Sequence, residues 1–321
     1  MNKDKEIHGV DISKDVFDVF DHEGVHHQYP HTLKGFRDYF RCLNLNSLVV
    51  MEATGYYHYL LAQFLYDQGM AVSVVNPLSV KRFVQMKLSK VKTDKSDAKA
   101  IAEYAKVNAV PLYDGKGEDQ AESLQLLALM DVYLKQRTQV KNKLHGEKVL
   151  GIPSRAVHSS LVRSLKSLDR ELEGLQSRLL ALVKKTQQRQ LTNLKSIPGL
   201  GDKTVALLII LTDGFTKFEN AGQLCNYAGI TPMTRRSGSS VRGKSRISKV
   251  GNRKLRNLLF LCAFSACKHN KACREMYERI TAKGKSKKLA LIAVSNKLLK
   301  QAFAIAKSGI PYDENYVSRL A

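Results

Sequence analysis

Before Glu118, apolar positions fall into short runs and alternations divided by turn residues; after it they recur every three or four residues over long stretches. The first pattern predicts strands mixed with short helices, the second long helices. Ile7–Ser13 (IHGVDIS), Val16–Asp21 and Val25–Pro30 read as three strands, with Asp21-His22-Glu23-Gly24 turning between the last two. Thr32 caps a helix toward Leu43 that gathers Phe36, Tyr39 and Phe40 on one side. Ser47–Glu52 (SLVVME) and Ala71–Asn76 (AVSVVN) are apolar enough for buried strands. Tyr56–Gln68 is helical, Pro77 opens another helix, and Asp94–Val107 (DKSDAKAIAEYAKV) forms a third. A three-strand meander followed by alternating helix and strand is the order of the ribonuclease H-like fold, which other α/β folds share in part.

The second half reads differently. Leu124, Leu127, Met130 and Leu134 begin a helix toward Lys148; Gly151-Ile152-Pro153 breaks it, and a second runs from about Ser154 to Asn193. Its Leu161, Leu165, Leu168, Leu172, Leu175, Leu179 and Leu182 form a heptad-like seam, suited to an antiparallel hairpin, an intersubunit coiled coil or an ordinary helix pair. Ser196-Ile197-Pro198-Gly199-Leu200-Gly201 then precedes an apolar helix, Asp202–Leu211. This resembles a helix-hairpin-helix element, in which Gly199 and Gly201 let backbone amides approach a phosphate. Helices over Phe218–Tyr227, Lys254–Asn270 and about Lys287–Lys307 complete the chain. The expected architecture is thus α/β plus all-α: residues 1–115, a helical arm 116–194, and a mainly helical C-terminal domain 195–321.

Charge changes this picture. The 321 residues carry a formal net charge of +23, which points to a polyanionic partner. Between Glu219 and Glu275 there is no acid, while Lys and Arg occur twelve times. Arg235, Arg236, Arg242, Lys244, Arg246, Lys249 and Arg253 lie among Ser and Gly residues that let a chain follow phosphates closely. No uninterrupted apolar run reaches the length of a membrane span, and the N-terminus lacks the apolar core of a signal peptide, so a cytoplasmic, nucleoid-associated protein is expected. Five cysteines without a CxxC pair suggest reduced thiols.

Acids supply the candidate chemistry. Asp11 lies toward the end of the first strand and Glu52 at the end of the fourth; Asp94 and Asp97, spaced i, i+3, share a helical face. Four such carboxylates could converge at one sheet edge, where oxygen-only ligands favour Mg2+ or Mn2+. Alternatively Asp94 is a helix cap, Asp97 complements the helix dipole, and the other two are surface residues. Asp15, Asp18 and Asp21 read as the solvent face of the second strand. The octapeptide from Gly238 to Ser245 matches the phosphate-loop pattern GxxxxGKS, but no buried strand precedes it and no helix opens at Lys244-Ser245.

GVDISK, MEATG, KTDKSDAKAIA, SIPGLG, NYAGITP, RRSG and ISKVGNRKLR occur in an order and spacing that resemble a family of bacterial insertion-sequence transposases. These join an Asp-Glu-Asp-Asp domain similar to the RuvC resolvase to a C-terminal domain with a serine. The resemblance implies a DNA recombinase with Asp11, Glu52, Asp94 and Asp97 as metal ligands and Ser237 as nucleophile; Ser239 and Ser240 follow directly. It also implies donor and target DNA and a structured bridge RNA encoded by the element as partners; the leucine seam leads to the expectation of a homo-oligomer, dimer or tetramer, and composition to that of no membrane partner. Two other readings stay open: a RuvC-like nuclease using metal-activated water, and a basic nucleic-acid-binding protein without enzymatic activity.

Overall fold

A computed structural model describes residues 5–53, 55–87, 94–151, 154–233, 236–237, 241–242, 246–248 and 250–315. Two compact units divide the chain, Met1–Gly117 and Glu118–Ala321.

The first unit is a five-stranded mixed sheet between helices. β1 (Glu6–Ile12), β2 (Val16–Phe20) and β3 (His26–Pro30) form the antiparallel meander. β4 (Ser47–Glu52) and β5 (Ala71–Val75) add in parallel on the other side of β1, giving the order β3-β2-β1-β4-β5. Both faces are covered, which is why β4 is apolar along nearly its whole length. On one face Val10, Ile12, Val49 and Met51 pack with Phe36 and Tyr39 of α1 (Leu33–Phe40) and with Leu61 and Leu65 of α2 (His58–Asp67). On the other, Ile7, Leu48 and Val50 meet Val80 of α3 (Pro77–Met86) and Ile101, Ala102 and Ala105 of α4 (Asp94–Val107). The Thr32 hydroxyl caps α1 by accepting from the Gly35 amide, and the Asn76 side chain caps α3 at the Leu78 amide. At the crossing with α4, β1 carries Gly9: a Cβ there would lie 2.2 Å from the Ala98 carbonyl oxygen and 2.5 Å from the Ala102 nitrogen.

The second unit opens with an antiparallel helical hairpin, α5 (Glu118–Val149) and α6 (Arg155–Lys195). Ion pairs Lys185–Asp119 (2.9 Å), Arg178–Glu122 (2.7 Å) and Arg137–Asp169 tie residues progressively farther from the open end. The leucine seam is buried only at Leu179 and Leu182; Leu161 to Leu175 are half-buried. Ile152 and Pro153 of the break lie outside the described residues. Non-helical backbone at Gln187 kinks α6 as it enters the core. There α7 (Asp202–Thr212) is buried along Thr204–Ile210, packed against α6, α9 (Arg253–His269) and α5, in a core that α8 (Ala221–Ala228) and α11 (Lys287–Ser308) also line. α11 is long and apolar enough to cross a membrane by length and composition, yet its Ala290, Val294, Leu298, Leu299 and Ala302 are buried in this core.

Three expectations change. α5 begins at Glu118, before its first leucine, because Glu118 and Asp119 suit a helix N-terminus. An unexpected helix, α10 (Lys271–Ala282), follows α9 where the Asn270 side chain accepts from the Cys273 amide and starts a new turn. Asp18 is not on a solvent face: α4 covers that side of β2, and Asp18 is 3 % exposed.

Candidate active site

In parallel register Gly9 sits opposite Val50 and Val10 opposite Met51, so the next pair along β1 and β4 is Asp11 beside Glu52. Adjacent strands lie about 4.8 Å apart and paired positions face the same way, here toward α4. α4 runs antiparallel to β1, with Ile7 packing by Ile101 and Ala105 and Gly9 against Ala98 and Ala102. Its first turns, holding Asp94 and Asp97, therefore approach the strand end that carries Asp11. The side chain of Asp94 lies outside the described set; Asp97 is half-buried. The Asp11 Oδ1 accepts from the Ile12 amide at 3.1 Å. Among the described residues, no three of these carboxylates lie within 4.8 Å of one another; the one acid–histidine group that does is Glu6, His8 and His22.

Asp18 joins this face, opposite Asp11 in the β1–β2 pairing. Its carboxylate accepts from His26 Nε2 at 2.8 Å and Gln28 Nε2 at 3.1 Å, both from the edge strand β3. The signal in the sequence was VFDVF, where apolar residues flank the acid so closely that an open second face is unneeded. Elsewhere in the unit, burial and the neighbouring His22 hold the His8 imidazole below the usual histidine range.

In the second unit the basic window leaves and rejoins the core through a clasp. Gly229 ends α8 with φ +68°, and Gly251 precedes α9 with φ +132°. A Cβ on Gly251 would meet the Tyr227 carbonyl oxygen at 2.4 Å; one on Gly229 would meet the Val250 carbonyl oxygen at 2.6 Å. The Asn252 amide donates to the Tyr227 carbonyl at 2.7 Å while its side chain caps α9 at Leu255. This clasp is why the NYAG and VGN motifs need their glycines. Between its ends, β6 (Pro232–Met233) pairs with β9 (Arg246–Ile247), and inside it β7 (Arg236–Ser237) pairs with β8 (Val241–Arg242). Backbone register sets Ser237 opposite Val241 and Arg236 opposite Arg242. Where a phosphate loop would open a helix after Ser245, the chain forms the strand β9. Arg235, Ser239, Ser240, Lys244 and Lys249, with the side chains of Arg236, Ser237 and Arg242, lie outside the described set. Arg246 and Arg253 are exposed, whereas Lys254 pairs with Asp131 at 2.6 Å and Arg256 donates to the Ala228 carbonyl.

Gly199 turns with φ +105° against Ala266, and Gly201 opens α7. The first turn of α7 already holds an acid, Asp202, paired with Lys195 at 2.8 Å. A phosphate at this turn would compete with that carboxylate.

Comparison with known proteins adds an independent line. Residues 8–150 match the model of a transposase family with the Asp-Glu-Asp-Asp domain of IS110, and residues 191–278 match that of the transposase IS116/IS110/IS902 family. The chain is 29% identical to a pilin gene-inverting protein of Moraxella lacunata, covering 95% of this chain and 97% of that one. It is 27% identical to the transposase for insertion sequence element IS1111A of Coxiella burnetii, over 84% and 80% of the two chains. The first match covers the sheet unit and α5, the second runs from the end of α6 into α10 and includes the basic window, and the chain belongs to the IS110 family of transposases, enzymes of DNA transposition and recombination.

Proposed function

We propose that the chain cuts and rejoins DNA strands through a serine-linked intermediate, with the acids of the first unit as metal ligands and Ser237 of the second as nucleophile. The observation that carries this is the register placing Asp11 beside Glu52 on the face where α4 brings Asp94 and Asp97. In this reading the four acids hold Mg2+ or Mn2+, which when bound would stabilise charge on the phosphate and the departing oxygen. Ser237 Oγ attacks phosphorus, forming a phosphoserine ester and releasing the strand's hydroxyl end. Arg235, Arg236 and Arg242 offset the charge gathering on the attacked phosphate. Ser237 is taken ahead of Ser239 and Ser240 for its place directly before Gly238 in the RRSG motif. Partner choice through a structured RNA would leave the protein to grip nucleic acid by shape and charge, as the exposed Arg246 and Arg253 suit.

The test uses wild type, Ser237→Ala and Ser239→Ala with magnesium, the RNA flanking the gene and labelled DNA ends. A covalent protein–DNA adduct in wild type and Ser239→Ala, absent in Ser237→Ala, is expected. Cleavage without adduct in any of the three would replace this reading with a metal-only nuclease. Inversion of a segment between two sites is a second outcome to score, since the Moraxella relative is named for inverting a pilin gene.

A further inference from the structure

On the face of the sheet away from Asp11 and Glu52, and at the other end of β1, three metal-binding side chains meet. Glu6, His8 and His22 each offer a ligand atom, and these atoms lie within 4.8 Å of one another. Glu6 and His8 are two residues apart on β1, so they project to the same face. His22 comes from the β2–β3 turn, its ring 5.6 Å from that of His8 and its Nε2 3.9 Å from Glu6 Oε2.

A second observation points the same way. His8 is 4 % exposed, and among the described residues neither of its ring nitrogens has a hydrogen-bond partner. A neutral imidazole carries one donor and one acceptor, and burying both unpaired is costly. The neighbouring Tyr39 hydroxyl, its ring 6.2 Å away and edge-on, is buried and unpaired as well. A ligand in the cluster would take one His8 nitrogen and leave the other for Tyr39 or a bridging water. The Glu6 carboxylate is already oriented, accepting from Asn44 Nδ2 at 2.6 Å, as outer-shell partners orient metal ligands.

We propose that Glu6, His8 and His22 form a second metal site, for a borderline transition ion such as zinc, separate from the acids of the active edge. Two imidazoles and a carboxylate are a donor set for Zn2+, whereas magnesium takes oxygen ligands. Tetrahedral zinc with bonds of about 2.0–2.1 Å sets its ligand atoms about 3.4 Å apart. The cluster closes to that by side-chain movements of roughly 1 Å, largest at the exposed His22. Glu23, whose Oε1 lies 4.0 Å from His22 Nε2, or water would fill the fourth position. The ion would clip the β2–β3 turn to the start of β1. His8 and Asp11 are three residues apart, about 10 Å along the strand and on opposite faces, so the ion would not enter the reaction.

The experiment takes the full untagged chain, freed of metal by chelator, and titrates it with Zn2+, Co2+ and Mg2+ by calorimetry, visible absorption and thermal melting. Wild type is expected to bind about one Zn2+ per chain, to show visible bands with Co2+ of a four- or five-coordinate site, and to melt higher as Zn2+ rises. His22→Ala, at a surface turn, should keep the fold by circular dichroism yet bind Zn2+ roughly tenfold or more weakly. Asp11→Asn with Glu52→Gln should bind Zn2+ as wild type does. Absence of zinc-dependent heat and melting shift in wild type would overturn the proposal. So would zinc binding unchanged in His22→Ala, or lost in the Asp11/Glu52 variant.

Discussion

Replacing Gly9 by alanine tests how tightly the acid-bearing helix is seated. An added Cβ would stand 2.2 Å from the Ala98 carbonyl oxygen, 2.5 Å from the Ala102 nitrogen and 2.8 Å from the Ala102 Cβ. Comfortable carbon contacts need about 3.5 Å, and two of these atoms are helix backbone that no rotamer change can remove. α4 must therefore retreat from β1 by roughly 1 Å. Overpacking of this kind costs about 1–3 kcal/mol, or roughly 5–15 °C in the melting of a unit this size. The same shift carries Asp94 and Asp97 away from Asp11 and Glu52, and a misplacement of about 1 Å in a catalytic constellation costs on the order of 100-fold in rate. Thermal melts and single-turnover strand cleavage at a temperature well below both transitions separate the two effects. Gly174→Ala is the control: that glycine is exposed in α6 with nothing within 4 Å of a Cβ, so alanine should be neutral or stabilise by up to about 1 kcal/mol. A Gly9→Ala protein that melts with wild type and cleaves at the wild-type rate would refute the close seating of α4, and with it the approach of its acids to the strand ends.

Other outcomes follow from the same geometry. Asp18→Asn removes a charged acceptor from His26 and Gln28 beside Asp11, and should cost about 1–3 kcal/mol in urea denaturation while keeping the native spectrum. Leu208→Ala, in the fully buried centre of α7, should cost about 2–5 kcal/mol in the second unit's unfolding transition. Gly251→Ala forces a side chain onto the Tyr227 carbonyl at a positive φ and should unfasten the clasp, read as faster proteolysis between Gly229 and Asn252 with the helical signal retained. Mutating exposed Arg246 and Arg253 together to Ala should weaken binding to duplexes of any sequence and lower the log–log salt slope by about 2.

The sequence made some of this legible and withheld the rest for identifiable reasons. α4 runs from Asp94 to Val107 as expected, because acids at its start and an apolar period agree on its bounds. β4 matched as well, since an uninterrupted apolar hexamer has few alternatives. Asp18 misled because alternation locates a second face without saying what covers it. α10 was passed over because KACREMYERITA is mostly polar; its one local signal was Asn270, which serves both as the end of α9 and the cap of the next helix. The pairing of Asp11 with Glu52 needed strand register, which forty intervening residues do not specify locally. Glu6, His8 and His22 were equally invisible, since strand alternation links the first two but only the folded turn brings the third.

The distribution of charge between the units sharpens what each contributes. Glu118–Ala321 carries 37 Lys and Arg against 15 acids, whereas Met1–Gly117 carries 15 against 14. Nearly all of the net charge of +23 therefore belongs to the second unit, while Asp11, Glu52, Asp94 and Asp97 sit in a nearly neutral one. Phosphate contacts dominate non-specific affinity and its salt dependence, so most of the affinity for nucleic acid should lie in the second unit, apart from the proposed metal-holding acids of the first. Each unit has its own apolar core, which makes the halves testable as fragments. The 118–321 fragment is expected to hold DNA with a salt slope close to that of the whole chain and to cleave nothing. The 1–117 fragment should bind Mn2+ yet barely retain DNA at the same salt. If instead residues 1–117 carried most of the affinity, the acid-free window would be a solvated loop rather than the grip on nucleic acid. Charge stabilisation of the attacked phosphate by Arg235, Arg236 and Arg242 would fall with it.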